Sequence, residues 1–167
     1  MTRLLAIFFG AGLLRPAPGS WGSLVAALLA WAICRYAGIP ALAVLTALVT
    51  GLGFWAIGVE LRDRQGDDPS EFVIDEVAGQ WIAILFPAIA FWTRGWEGWL
   101  PWPAIVFPFL FFRLFDIWKP WLVGRADRRG DAAGVMLDDL WAGVFAGLAS
   151  VAAAAIYHIP LVLMARP

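Results

Sequence analysis

Apolar residues run along most of this chain, and two dense polar stretches, residues 60–76 and 113–143, interrupt them. The apolar runs predict helical spans at roughly 22–37, 40–59, 77–93, 103–118 and 140–157. A helix crossing a bilayer needs about 20 residues, and several of these runs are shorter. A compact bundle, or local thinning of the bilayer, is therefore expected. Residues 4–14 are apolar but too short to span. Arg3 before them and Ala17-Pro18-Gly19 after them have the outline of a signal peptide. Arg15 and the two prolines beside it suit that poorly, so this stretch reads as a short re-entrant or interfacial helix with both ends on one side. Trp21, Tyr36, Trp92, Trp102, Trp118, Trp141 and Tyr157 stand at span ends, as in an interfacial aromatic belt. Ala142-Gly143 and Ala146-Gly147 place small residues four apart, where helices can approach closely.

Composition supports the membrane reading. The chain has 167 residues, 62% of them hydrophobic, and 11 tryptophans, with a mean hydropathy of +0.77. Soluble domains are nearer about 45–50% apolar. The expected fold is all-α and integral to the membrane: a compact bundle of about five transmembrane helices plus the short N-terminal helix, forming a single domain over 1–167. The net charge of −1 and the lack of a basic run exclude a nucleic-acid surface. The single cysteine, Cys34, lies inside an apolar run, which excludes disulfides and cysteine metal sites within one chain.

Alternating the five spans places Arg3, Arg15, Arg62, Arg64, Lys119, Arg125, Arg128 and Arg129 on one face and Arg35, Arg94 and Arg166 on the other. The positive-inside rule assigns the first face to the cytoplasm. Acids contribute little to that rule, yet every acid but Glu97 falls on or near the same face: Glu60, Asp63, Asp67, Asp68, Glu71, Asp75, Glu76, Asp116, Asp127, Asp131, Asp138 and Asp139. The Pro/Gly/Ser stretch 16–23, expected as a loop, lands there too.

Asp75-Glu76 begins the third span and Asp138-Asp139 the fifth. One acid of each pair would cap its helix, leaving the other to find a cation. Asp116 lies in the last turn of a helix, where the dipole disfavours an anion. Arg113, Asp116 and Lys119 share one helical face, either as a structural ion pair or as a charged stripe aimed into the bundle. Pro120 ends the helix there. Carboxylates from three elements, without His or Cys, suit Mg²⁺ or Mn²⁺. Lys119 and the arginines would neutralise phosphate oxygens. The arrangement points to phosphoryl chemistry on a phospholipid drawn from the bilayer, with water activated at the metal or an aspartate as nucleophile. His158 is assigned to the far side, so a histidine mechanism is excluded at this face. A small cation transporter is the alternative, but it would need polar groups at mid-bilayer depth.

Pro18-Gly19-Ser20-Trp21-Gly22-Ser23, Val73-Ile74-Asp75-Glu76 with Gly79-Gln80-Trp81, Phe112-Arg113 with Asp116 and Lys119-Pro120-Trp121, Asp127-Arg128, and Gly134-Val135-Met136 with Asp138-Asp139 and Ala142-Gly143 together resemble the phosphatidylglycerophosphatase A family. The resemblance covers about residues 10–148. It implies a Mg²⁺-dependent enzyme of the bacterial inner membrane, with its active site on the cytoplasmic face, that converts phosphatidylglycerophosphate to phosphatidylglycerol. Asp75, Glu76, Asp116, Asp138 and Asp139 would then be metal ligands and, with Lys119, catalytic residues. Lys119, Arg128 and the Gly19-Ser20-Gly22 segment would hold phosphate. Arg15 lies outside the matched pattern and receives no catalytic role. The stretch Asp131-Ala132-Ala133 is less glycine-rich than the resemblance implies.

Overall fold

The computed structural model describes residues 1–62 and 70–164, with side chains as far as Tyr157. Asp63, Arg64, Asp67, Asp68, Arg166 and the His158 side chain, which enter the topological reading, lie outside the described residues. Every regular element among the described residues is a helix, and none is a strand. Its helices are α1 (Thr2–Ala6), α2 (Pro18–Tyr36), α3 (Ile39–Glu60), α4 (Ile74–Trp92), α5 (Pro103–Trp118), α6 (Leu122–Asp127) and α7 (Ala132–Met164), with a 3₁₀ segment at Phe8–Leu13.

Three of these, α3, α4 and α7 as far as Tyr157, are long and apolar enough to cross a membrane. The other two expected spans fall short, for different reasons. α5 has 16 residues, or about 24 Å of rise, against about 30 Å of hydrocarbon. α2 has 19 residues, but glycine and serine occupy its first turns and Arg35 its last, so its apolar stretch is shorter than its helix. All seven belt aromatics are exposed.

α4 is the central element and packs against α2, α3, α5 and α7. Its buried residues lie on every side, among them Val77, Ala78, Trp81 and Ile84, because it has neighbours all round. The α4–α7 contact is made by backbone. A Cβ on Gly143 would strike the carbonyl of Gly79, and one on Gly79 would come within 2.5 Å of the carbonyl of Asp139. The expected small-residue seam is therefore present, with Ala142 and Ala146 fully buried beside it. Trp81 donates its indole N–H to the Ala26 carbonyl at 2.8 Å, tying α4 to α2.

The N-terminal segment stays at one end of the bundle. Thr2 donates to Glu60 at 2.5 Å, Arg3 pairs with Glu71 at 2.8 Å, and the Val73 N–H donates to the Ala6 carbonyl at 2.9 Å. Gly12 lies against the Glu71 backbone. Both ends of the segment thus sit beside the start of α4, as a re-entrant or interfacial piece requires.

Two boundaries differ from expectation. The glycine-rich stretch is not a loop: α2 begins at Pro18, whose fixed φ suits a first helical position. α7 begins at Ala132, ahead of its apolar run, with Asp131 accepting the Gly134 N–H at 2.7 Å. Hydropathy marks where a helix becomes apolar, not where its hydrogen bonding starts. Asp138 and Asp139 therefore lie inside α7 rather than capping it, whereas Asp75 and Glu76 do sit in the first turn of α4.

Candidate active site

At this end of the bundle a cleft of about 230 Å³ is lined by Asp75, Glu76, Asp116, Asp138 and Asp139, by Arg113 and Lys119, and by the first turn of α2. Five carboxylates face two cations there. The same local pattern places both acidic pairs. Asp75 Oδ1 accepts the Glu76 N–H at 3.0 Å, and Asp138 Oδ1 accepts the Asp139 N–H at 2.9 Å. The first acid of each pair thus has one oxygen held by backbone, and all four acids line the cleft. Carboxylate oxygens of Asp75, Glu76 and Asp139 lie within 4.8 Å of one another. Glu76 Oε2 and Asp139 Oδ1 are buried and have no hydrogen-bond partner. Three carboxylates this close repel one another unless a cation stands between them. Buried polar atoms are normally satisfied, so the orphaned oxygens fit a hard divalent cation with oxygen ligands.

α5 supplies the cations. Arg113 Nη1 pairs with Asp116 Oδ2 at 2.6 Å and lies 3.4 Å from Ser23 Oγ, whose hydroxyl donates to the Gly19 carbonyl at 2.7 Å. The ion pair and the inward stripe are therefore the same structure. Asp116 also stands against Asp139. Lys119 caps α5 in the left-handed conformation, φ 51° and ψ 54°, and Trp121 also has positive φ. Strain of this kind is retained where neighbours over-determine it. Here Lys119 Nζ donates to Asp127 and, at 2.9 Å, to Asp138, and its carbonyl lies 2.5 Å from where a Cβ on Gly124 would stand. Partial burial works against the ammonium, but the hydrogen bonds to Asp127 and Asp138 outweigh it and raise its pKa.

Of the expected phosphate contacts, Gly19 and Ser20 line the cleft. A Cβ on Gly19 would strike Glu76 Oε1, so a larger residue there would displace the Glu76 carboxylate. Gly22 instead packs on Val73, and Arg128 is exposed with its guanidinium beside Gly124. The structure brings neither into the cleft.

Two residues are not singled out as site residues by the sequence. Arg113 reads there as an ion-pair partner or part of a charged stripe, yet it lines the cleft, and its Nε is buried without a partner. Gln80 is fully buried with neither amide atom hydrogen-bonded. It lies one helical turn beyond Glu76 on the same face of α4. A glutamine among the apolar residues of α4, within the Gly79-Gln80-Trp81 motif, is the signal the sequence offers for it. Gln80→Met, which removes the amide at similar volume, is expected to stabilise the fold by about 1 kcal/mol. Thermal unfolding in detergent reads this directly, and a lower melting temperature would show that the amide has a partner in solution.

The family model described as Phosphatidylglycerophosphatase A matches residues 4–154. Phosphatidylglycerophosphatase A of Haemophilus influenzae is 32% identical over 145 residues, covering 86% of this chain and 82% of the relative. Phosphatidylglycerophosphatase A of Escherichia coli is 33% identical over 142 residues, covering 84% and 76%. A Bacteroides thetaiotaomicron protein, named provisionally as a phosphatidylinositol-3-phosphatase, is 35% identical over 147 residues, covering 85% and 86%. No solved structure matches the chain.

Proposed function

We propose that this chain, which belongs to the phosphatidylglycerophosphatase A family, is a membrane-embedded lipid phosphatase that hydrolyses the terminal phosphomonoester of phosphatidylglycerophosphate. Water adds to phosphorus, the ester P–O bond breaks, the glycerol oxygen leaves as a hydroxyl, and phosphatidylglycerol and phosphate remain. The observation that carries this reading is the carboxylate group Asp75, Glu76 and Asp139, with its two orphaned oxygens, in one cleft with Arg113 and Lys119.

Asp75, Glu76 and Asp139 would hold Mg²⁺, with Asp116 and Asp138 beside them. When bound, the ion supplies the positive charge that lets a phosphate dianion enter an acidic cleft. Lys119 and Arg113 neutralise phosphate oxygens from the α5 side, and Gly19 and Ser20 close the cleft from α2. The chain acts as one domain, a bundle of about five spans in the bacterial inner membrane, with the cleft toward the cytoplasm. The exposed belt aromatics support the membrane embedding, the excess of Lys and Arg on the cleft face supports the cytoplasmic orientation, and five acids gather in the cleft at one end. The same gathering disfavours a cation-conducting path, which would need polar groups along the span centres.

The Bacteroides relative supports a second substrate of the same kind. Phosphatidylglycerophosphate and phosphatidylinositol 3-phosphate each carry a phosphomonoester and a phosphodiester on carbons separated by one other carbon. Purified protein in mixed micelles is expected to release phosphate from phosphatidylglycerophosphate with Mg²⁺ and to stop when EDTA is added. Release that survives EDTA would remove the metal from the mechanism, and no release from folded, Mg²⁺-loaded protein would overturn the assignment.

A further inference from the structure

We propose that Arg15 and the groove beside the carboxylate cleft bind the phosphodiester that the reaction leaves intact. This rests on the lipid phosphatase reading above. The groove, about 400 Å³, is lined by Gly12, Leu13, Arg15, Pro16, Pro18, Ser70 and Glu71. It adjoins the cleft, because Pro18 and Ser70 line both.

The balance of charges singles out Arg15. In the cleft, Arg113 is committed to Asp116 and Lys119 to Asp127 and Asp138. On the groove wall, Glu71 is held by Arg3. Arg15 is exposed and makes no ion pair or hydrogen bond with any described residue. Among the described cations lining the two cavities it alone keeps its full charge for a ligand.

Substrate chemistry supplies that ligand. With the phosphomonoester among Glu76, Asp139, Arg113 and Lys119, the phosphodiester follows three carbons along the head group, and the groove that shares Pro18 and Ser70 with the cleft is the adjoining cavity for it. A guanidinium presents two parallel N–H groups to the two free oxygens of a diester. Beyond the diester comes the diacylglycerol, and exposed Leu13 lines the groove, with Phe9 and Leu14 also exposed on the same segment. This division gives the monoester the cleft, the diester Arg15 and the acyl chains the apolar segment. It also explains how one site would accept glycerol or inositol between the phosphates: the two charges are read, not the polyol.

The test compares wild type, Arg15→Gln and Arg15→Lys of the full chain in mixed micelles. Arg15→Gln is expected to raise KM for phosphatidylglycerophosphate about 10- to 100-fold with kcat changed less than about threefold. Inhibition by phosphatidylglycerol, which has the diester and no monoester, should weaken by the same factor, with partial recovery in Arg15→Lys. Inhibition by inorganic phosphate, and any hydrolysis of phosphatidic acid, which lacks the diester, should be unchanged. Unaltered KM and phosphatidylglycerol inhibition would overturn the proposal, and so would equal losses on both lipids. Phosphatidylglycerol binding followed by tryptophan fluorescence tests the groove independently of turnover. Wild-type binding weakened in Arg15→Gln, without hydrolysis in either protein, would keep the groove and sink the phosphatase reading.

Discussion

Asp139→Asn is expected to lower kcat/KM for phosphatidylglycerophosphate by about 1,000-fold or more, the scale of losing several kcal/mol of charge stabilisation at a phosphoryl centre. The substitution keeps the shape of a side chain that is 3% exposed and leaves its N–H bond to Asp138 intact. It removes one negative charge facing Asp75, Asp116 and Asp138. Two opposite effects follow. Without Mg²⁺ the variant is expected to melt higher than wild type, because a repulsion has gone. With Mg²⁺ the wild type gains stability by ligand linkage and the variant gains little. Melting curves with and without the ion therefore separate a missing ligand from a damaged fold. An Asp139→Asn protein that keeps a tenth of its activity, or is stabilised by Mg²⁺ as the wild type is, would exclude Asp139 as a ligand.

Lys119→Ala is expected to cost about 100- to 1,000-fold in kcat/KM, because a charge-assisted hydrogen bond to phosphate disappears and two carboxylates are left unpaired. Lys119→Arg should recover only part of this, because a planar fork does not replace a point charge held between Asp127 and Asp138. The lysine also sets a pH expectation. Its folded pKa is raised, so its pairing contributes fully below the unfolded value of about 10.4 and is lost only as pH rises through the higher folded value. Activity between about pH 6 and pH 9 should therefore show no step belonging to Lys119. A basic limb in that window, removed by Lys119→Arg, would contradict the pairing geometry. Asp127→Asn should be milder than Lys119→Ala, since the Asp127 side chain is 44% exposed and water screens its pair.

Much of this is legible in the sequence, because apolar runs and helix-terminal signals are local. The acidic pair at the start of α4, the i,i+3 pairing of Arg113 with Asp116, the stop at Pro120 and the short N-terminal segment all follow from spacing of a few residues. What the sequence hides is non-local. Pro18 suits a helix start, but nothing in residues 16–23 says that Gly19 would lie under Glu76 and Gly22 under Val73. Asp138 and Asp139 look like the start of a helix because the polar turns before them resemble a loop. Arg128 follows Asp127 directly yet points away, since adjacent residues on a helix do not share a face. Arg113 and Gln80 can be weighed only once α2 and α4 are seen to surround them.

The contact between Gly79 and Gly143 bears on how the protein would respond to its lipid surroundings. α4 and α7 carry one carboxylate pair each, and their backbones touch one turn beyond those carboxylates. Two rods joined at that point cannot slide to suit a thinner or thicker hydrocarbon layer without prising the join apart. Mismatch must be taken up elsewhere, by tilting of α3 or by the shorter α2 and α5. Turnover should then vary little across vesicles of differing acyl-chain length, while the tilt of the outer helices follows the bilayer.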